Sequence, residues 1–153
     1  MKKTTMFVLV SIQCGLLQGC FLAAYMKKQE AINAGLQQQV YDKSCKEIFP
    51  TVRQSVFSTG LAVTSADDTA GLSIETDWGQ AQGQTGGKQR LMIQGSEPTP
   101  GKCTIQVQRA TMGKKGEMSS GRAFDFEYQL LQAIEPEKAA SLEQEAERVA
   151  NAG

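Results

Sequence analysis

Period-two alternation constrains this chain more than any other feature. Leu72, Ile74, Thr76 and Trp78 fall on one side of a short stretch, with Ser73, Glu75 and Asp77 on the other. Cys103, Ile105 and Val107 repeat the pattern against Thr104, Gln106 and Gln108, and Leu61/Val63 and Leu91/Ile93 give two shorter versions. An extended backbone sends successive side chains to opposite faces. Such stretches therefore predict half-buried strands, the usual state of an antiparallel sheet. Asp67-Asp68-Thr69-Ala70-Gly71 reads as a short turn between the first pair. The stretch from Gly79 to Gly87, rich in glycine and glutamine, and Gly95 to Gly101, with two prolines, read as longer loops.

Helical patterns flank these strands. Tyr41 to Thr59 carries Ile48, Val52 and Val56 at four-residue spacing, and Gly60 supplies a stop. Pro50 either opens the main helix at its first position or kinks a longer one. After a flexible segment from Gly113 to Gly121, Phe124, Tyr128, Leu131 and Ile134 form a second apolar stripe. Pro136 bends or restarts that helix, and Glu137 to Ala150 continues as an Ala- and Glu-rich amphipath. The order helix, strands, helix predicts an α+β two-layer sandwich: a four-stranded antiparallel sheet whose apolar face is covered by two helices.

The N-terminus says where such a domain would work. Lys2 and Lys3 precede an apolar run from Met6 to Leu17, which is shorter than the ~20 residues a membrane-spanning helix needs. Leu17-Gln18-Gly19-Cys20 follows, with an aliphatic residue three before the cysteine and a small one just before it. This arrangement resembles the signal peptide and lipobox of bacterial lipoproteins. The resemblance implies removal of residues 1–19, diacylglycerol on the Cys20 sulfur and a fatty acid such as palmitate on its amino group. It also implies an oxidising envelope compartment. Phe21 stands where an aspartate would favour retention at the inner membrane, which points to the outer membrane, on its periplasmic or surface face. Residues 20–40 then read as a lipidated tether, helical in part. Residues 41–135 read as the compact domain and 136–153 as a C-terminal helical extension.

The remaining composition fits that address. Of 16 basic and 16 acidic residues in the chain, Lys2 and Lys3 leave with the signal, so the mature part is slightly acidic. A nucleic-acid binder would instead show a basic stripe. The chain has no histidine, which removes the commonest general base, the commonest zinc ligand and imidazole-based triads. Cys14 goes with the signal and Cys20 takes lipid, leaving Cys45 and Cys103 to pair in an oxidising compartment. Two thiols without histidine do not make a closed metal site. Their bridge, closing a loop of roughly 60 residues, is worth about 4 kcal/mol in the chain-entropy description. Cys103 shares parity with Ile105 and Val107, so the bridge is expected to staple the first helix onto the sheet.

A second resemblance concerns the domain. Phe49-Pro50-Thr51-Val52 through Gly60-Leu61-Ala62-Val63, then Asp67-Asp68, Gly71-Leu72-Ser73-Ile74 and Trp78, is similar to the helix-grip domains of outer-membrane accessory lipoproteins. It covers about half the mature chain and contains no catalytic signature. It implies a non-enzymatic accessory protein that docks onto an outer-membrane or periplasmic partner. The alternative within the same fold is a carrier that grips a small apolar ligand or lipid.

Candidate chemistry is sparse. Gly87-Lys88 and Gly101-Lys102 lack the remainder of a phosphate-binding loop. Glu75 and Asp77 share a strand face and could form an acid/base pair, but read more simply as a solvated face. Asp67 and Asp68 are turn residues first and calcium ligands second. No catalytic group, metal site or cofactor is expected. Trp78 is the leading partner anchor, set against packing at the rim of the core. Lys114 and Lys115, with Arg122, flank the last loop and could meet anionic headgroups or a partner. Gln94, Thr104, Gln106, Gln108 and Glu75 make a polar outer sheet face, either wet or hydrogen-bonding.

Overall fold

The computed structural model describes residues 5–69, 71–80 and 87–152, with side chains described from residue 21 onward. The elements are α1 (Thr5–Gln37), α2 (Cys45–Ser58), β1 (Val63–Asp67), β2 (Leu72–Thr76), β3 (Gly79–Gln80) and β4 (Lys88–Thr99). They continue with β5 (Lys102–Met112), β6 (Met118–Arg122), α3 (Phe124–Ile134) and α4 (Pro136–Asn151). Two compact units result, Leu36–Ala140 and Met1–Gly35 with Ser141–Gly153.

Leu36–Ala140 is an α+β unit. Its antiparallel sheet runs β1-β2-β4-β5-β6, with β3 also paired to β4. The sheet therefore has six strands rather than the expected four. The stretch expected as a loop between Gly113 and Gly121 instead turns at Gly113–Gly116 and returns as β6, where Ser119 opposes Thr111 and Gly121 opposes Arg109. The stretch from Gly95 to Thr99 extends β4, and its register against β5 shifts between Ser96 and Thr99. Both additions are largely exposed, so no apolar alternation marks them. Of the Gly79–Gly87 loop, residues 81–86 lie outside the described residues, and Gly79–Gln80 is a strand.

The helix expected from Tyr41 is α2, and it starts at Cys45. Ser44 is its N-cap: the hydroxyl accepts from the Glu47 backbone N–H, and the Glu47 carboxylate accepts from the Ser44 N–H. This reciprocal box satisfies two donors that a helix start leaves bare. Glu97 on β4 accepts the next one, from the Cys45 N–H, at 2.8 Å. Pro50 lies within the helix, and Gly60 ends it with φ +78°. Tyr41 instead bridges Cys103, exchanging both backbone hydrogen bonds at 2.8 and 3.1 Å.

Cys45 and Cys103 form the expected disulfide, with both residues buried and their Cα atoms 4.9 Å apart. Gly95 makes room for it: a Cβ there would sit 3.3 Å from each sulfur and 2.9 Å from the Leu72 Cβ. Around the bridge, Ile48, Val52 and Val56 of α2 and Leu130 and Leu131 of α3 close over Ile74, Leu91, Ile93 and Val107, each no more than 1 % exposed. Side chains thus fill the space between helices and sheet. The stripe on α3 differs from expectation. Phe126, Leu130, Leu131 and Ile134 are buried, while Phe124 and Tyr128 sit at the margin.

Glu127 is the charged residue on that buried stripe. Its carboxylate accepts the Val107 backbone N–H at 2.8 Å and the Arg122 Nε at 2.9 and 3.0 Å. Arg122 also donates to the Leu36 carbonyl and lies over the Phe124 ring. With Ala123 donating to the Val107 carbonyl, these contacts close the β5 edge where β6 stops.

In the second unit, α1 and α4 meet along one side. Lys28 Nζ reaches Glu143 at 3.0 Å and Glu147 at 2.8 Å, Ile32 and Ala146 are buried, and Gly35 lies against Leu142. Hydrogen bonds to Glu147 and Glu143 hold the Lys28 ammonium up at about 12. Among the described residues, no helix is long and apolar enough to cross a membrane.

Candidate functional site

The α+β unit covers one face of its sheet and leaves the other bare. Position parity on β2, β4 and β5 sends Ser73, Gln94, Ser96, Thr104 and Gln106 to the bare face. Ser73, Gln94 and Gln106 lie in one cross-strand row. Among the described residues their side chains make no hydrogen bond within the chain. In the next row Ser96 and Thr104 share a hydroxyl hydrogen bond of 3.0 Å. These residues line a groove of about 380 Å³ at the end of the sheet near the β1–β2 turn. Asp67 closes its rim, its carboxylate accepting the Thr69 N–H and hydroxyl, which lowers its pKa from the ordinary carboxylate value. Every group here is a short-range donor or acceptor, suited to a polar surface or chain laid across the strands.

Trp78 is half-buried and lies beside Arg90, whose strand parity is that of the bare face. Glu75 opposes Met92, yet Gly79 opposes Gln89, so four steps on one chain match three on the other. The extra residue around Asp77 and Trp78 reverses the parity after Thr76. Gly79 then turns inward against Leu61, and Trp78 turns out to the Arg90 guanidinium, 5.4 Å from its ring. Thr76 stays inside, donating to the Leu91 carbonyl and accepting the Leu91 N–H. Sequence reasoning missed Arg90. Its place two residues before Met92 and four before Gln94, all opposite in parity to Leu91 and Ile93, was the available signal.

Lys114 and Lys115 occupy the exposed β5–β6 turn, which Gly116 closes with φ +81°. Glu117 holds that turn by accepting the Lys115 backbone N–H at 3.0 Å. Neither lysine has an ion pair among the described residues. Gln80 opposes Lys88, and Lys88 opposes Met112, so this turn and Trp78 stand at the same end of the sheet, two strand intervals apart. Arg122 does not join them, being committed to Glu127. The exposed Glu75 and Asp77 do not converge on a reaction centre, and Asp77 accepts the Trp78 N–H. Among the described residues no cluster could hold a metal ion. Cys20 lies in α1, its side chain outside the described residues.

Fold and face together define a two-layer α+β domain with one helix-covered and one uncovered sheet face. Comparison of the chain with protein families, with curated proteins and with solved structures yields no match.

Proposed function

We propose that the chain is a membrane-anchored envelope lipoprotein with a non-enzymatic, accessory role. The signal peptide, residues 1–19, is removed. Cys20 bears the lipid, a tether follows, and the domain docks through its uncovered face onto an outer-membrane or periplasmic partner. The observation that carries the docking reading is the turning-out of Trp78. A large aromatic stacked on Arg90 lies on the bare face, at the sheet end that also bears Lys114 and Lys115. Aromatic and arginine side chains are the usual anchors of protein interfaces. The cationic turn favours a partner with carboxylates opposite it.

Docking is preferred to carriage of an apolar ligand because the helix–sheet interior is occupied by Val52, Ile74, Leu91, Ile93 and Leu130. The groove on the bare face is lined mostly by polar side chains, with Leu72, Gly71 and Gly95 among them. Cross-linking in intact envelopes tests the reading. Wild-type protein should capture one discrete partner, and Trp78→Ala or the Lys114→Ala/Lys115→Ala pair should reduce that capture at least about tenfold, the scale of an interface hot spot. A wild-type protein that captures nothing sinks it.

A further inference from the structure

β6 is the last strand of its sheet, and among the described residues its outer side faces no other strand. The hydrogen bonds at its two ends fix which groups stand there. Gly113 donates to the Glu117 carbonyl, and Ala123 donates to the Val107 carbonyl. The β5–β6 register runs without a shift between them, so Glu117, Ser119, Gly121 and Ala123 bond inward. Met118, Ser120 and Arg122 therefore hold their N–H and C=O groups outward, a template for another strand. Met118 to Gly121 are all exposed and carry neither a charge nor a proline. The opposite edge differs. β1 shifts its register between Val63 and Ser65, and such an irregularity is one of the ways in which sheets blunt an edge.

The open edge limits what can lie on it. It is five residues long, Met118–Arg122, between the Gly113–Gly116 turn and the point where Arg122 and Glu127 close the sheet. Ser119, Ser120 and Gly121 are small and raise no walls to choose among foreign side chains, the usual source of specificity in strand addition. A second β6 matches the edge in length and is itself stopped by a tight turn. Antiparallel pairing about a two-fold axis at Ser120 sets Met118 against Arg122, Ser119 against Gly121 and Ser120 against its own copy. Every outward residue then meets an outward one, in pairs that exchange both hydrogen bonds. No like charges stand opposite each other, an arrangement that would weaken cross-strand pairing. Lys115 precedes Ser120 by five residues. At ~3.4 Å per residue the two cationic turns therefore lie about 30 Å apart, beyond the ~10 Å screening length of ordinary salt. Each turn instead approaches the start of the other copy's α3, where the Asp125 carboxylate is exposed.

We propose that two copies of the chain join β6 to β6 in this way, merging their sheets into one. An axis normal to the sheet leaves both bare faces on the same side, so the pair presents that surface twice in one direction. Such pairing goes beyond docking to a foreign partner and does not require it.

Introduced cysteines test the register. Ser119 of one copy and Gly121 of the other form a pair without mutual hydrogen bonds, with Cα atoms ~4.5 Å apart, within disulfide range. Residue 119 lies diagonally from 119 of the other copy, and 121 from 121, at ~7–8 Å, too far to bridge. Among the described residues a Cβ at Gly121 meets no atom within 4 Å, so Gly121→Cys leaves the chain's own packing alone. Full-length Ser119→Cys and Gly121→Cys chains, made together in one cell and oxidised there, should form a mixed disulfide dimer, identified by mass spectrometry of the joined peptides. Either variant made alone should form none. Adding Ser120→Pro to both chains should abolish the dimer, because it removes an outward N–H and spares the ladder to β5. Circular dichroism checks that the proline variant folds. Absence of the mixed dimer overturns the pairing. Equal trapping by the single variants overturns it too, as does a dimer that survives Ser120→Pro in folded protein. A disulfide from residue 119 or 121 to a different protein overturns it in favour of a foreign strand.

Discussion

Tyr41 shows how much one residue can hold. Its backbone extends the β5 edge by pairing with Cys103, and its ring is buried at 2 % exposure. Burial first, then the Glu127 and Glu135 carboxylates, raise its phenol above the ordinary tyrosine value. The folded state therefore prefers the protonated ring. The stability this gives is intact below about pH 10, and it is lost as pH rises beyond that, because the unfolded chain sheds the proton first. Tyr41→Phe removes that liability, so its alkaline unfolding midpoint, followed by circular dichroism, should lie at higher pH than that of the wild type. Coincident midpoints would show that no buried phenol is being titrated. Residues of this kind resist sequence reading. Tyr41 fitted the start of a helical pattern, and the place of Glu127 on an apolar stripe makes sense only once Arg122 and the Val107 N–H are beside it.

At the scale of elements, alternation served well where one face was dry. β2, β5 and the Leu91–Ile93 part of β4 lie where that pattern put them, and the α2 stripe of Ile48, Val52 and Val56 is buried. Alternation was silent where both faces are wet. Met118-Ser119-Ser120-Gly121 is an exposed edge strand held by its backbone pairing and a Ser119–Thr111 hydroxyl hydrogen bond, and Gly79–Gln80 has two residues with which to show a pattern. It misled at Trp78, because one inserted residue reverses every face beyond it. That single step decides on which face of the sheet the tryptophan falls, and parity without register cannot detect it. The seam between α2 and the sheet turns on Gly95. Gly95→Ala should push a methyl group against Leu72 and both sulfurs, destabilising the domain by about 1–3 kcal/mol in denaturant titration. A variant as stable as the wild type would mean that the seam relaxes freely.

For the whole molecule, the bridge between residues 58 apart in sequence joins the opening of α2 to strand β5 of the sheet. Replacing both halves, Cys45→Ala with Cys103→Ala, should cost roughly 3–4 kcal/mol, a large share of the 5–15 kcal/mol that such domains possess. Equilibrium unfolding of the oxidised protein and the double variant measures the difference. Equal midpoints would assign the seam's strength to packing instead.

The buried disulfide also sets an order of events. Both sulfurs lie beneath α2, against Gly95, so the bridge must close before or while that helix seats on the sheet. If the chain is exported as proposed, it cannot close the bridge in a reducing cytosol. There it would remain looser, and easier to thread through a membrane, than the protein it becomes. Oxidation after crossing then acts as a timer as well as a staple, starting the domain's final consolidation on the side of the membrane where it is to work.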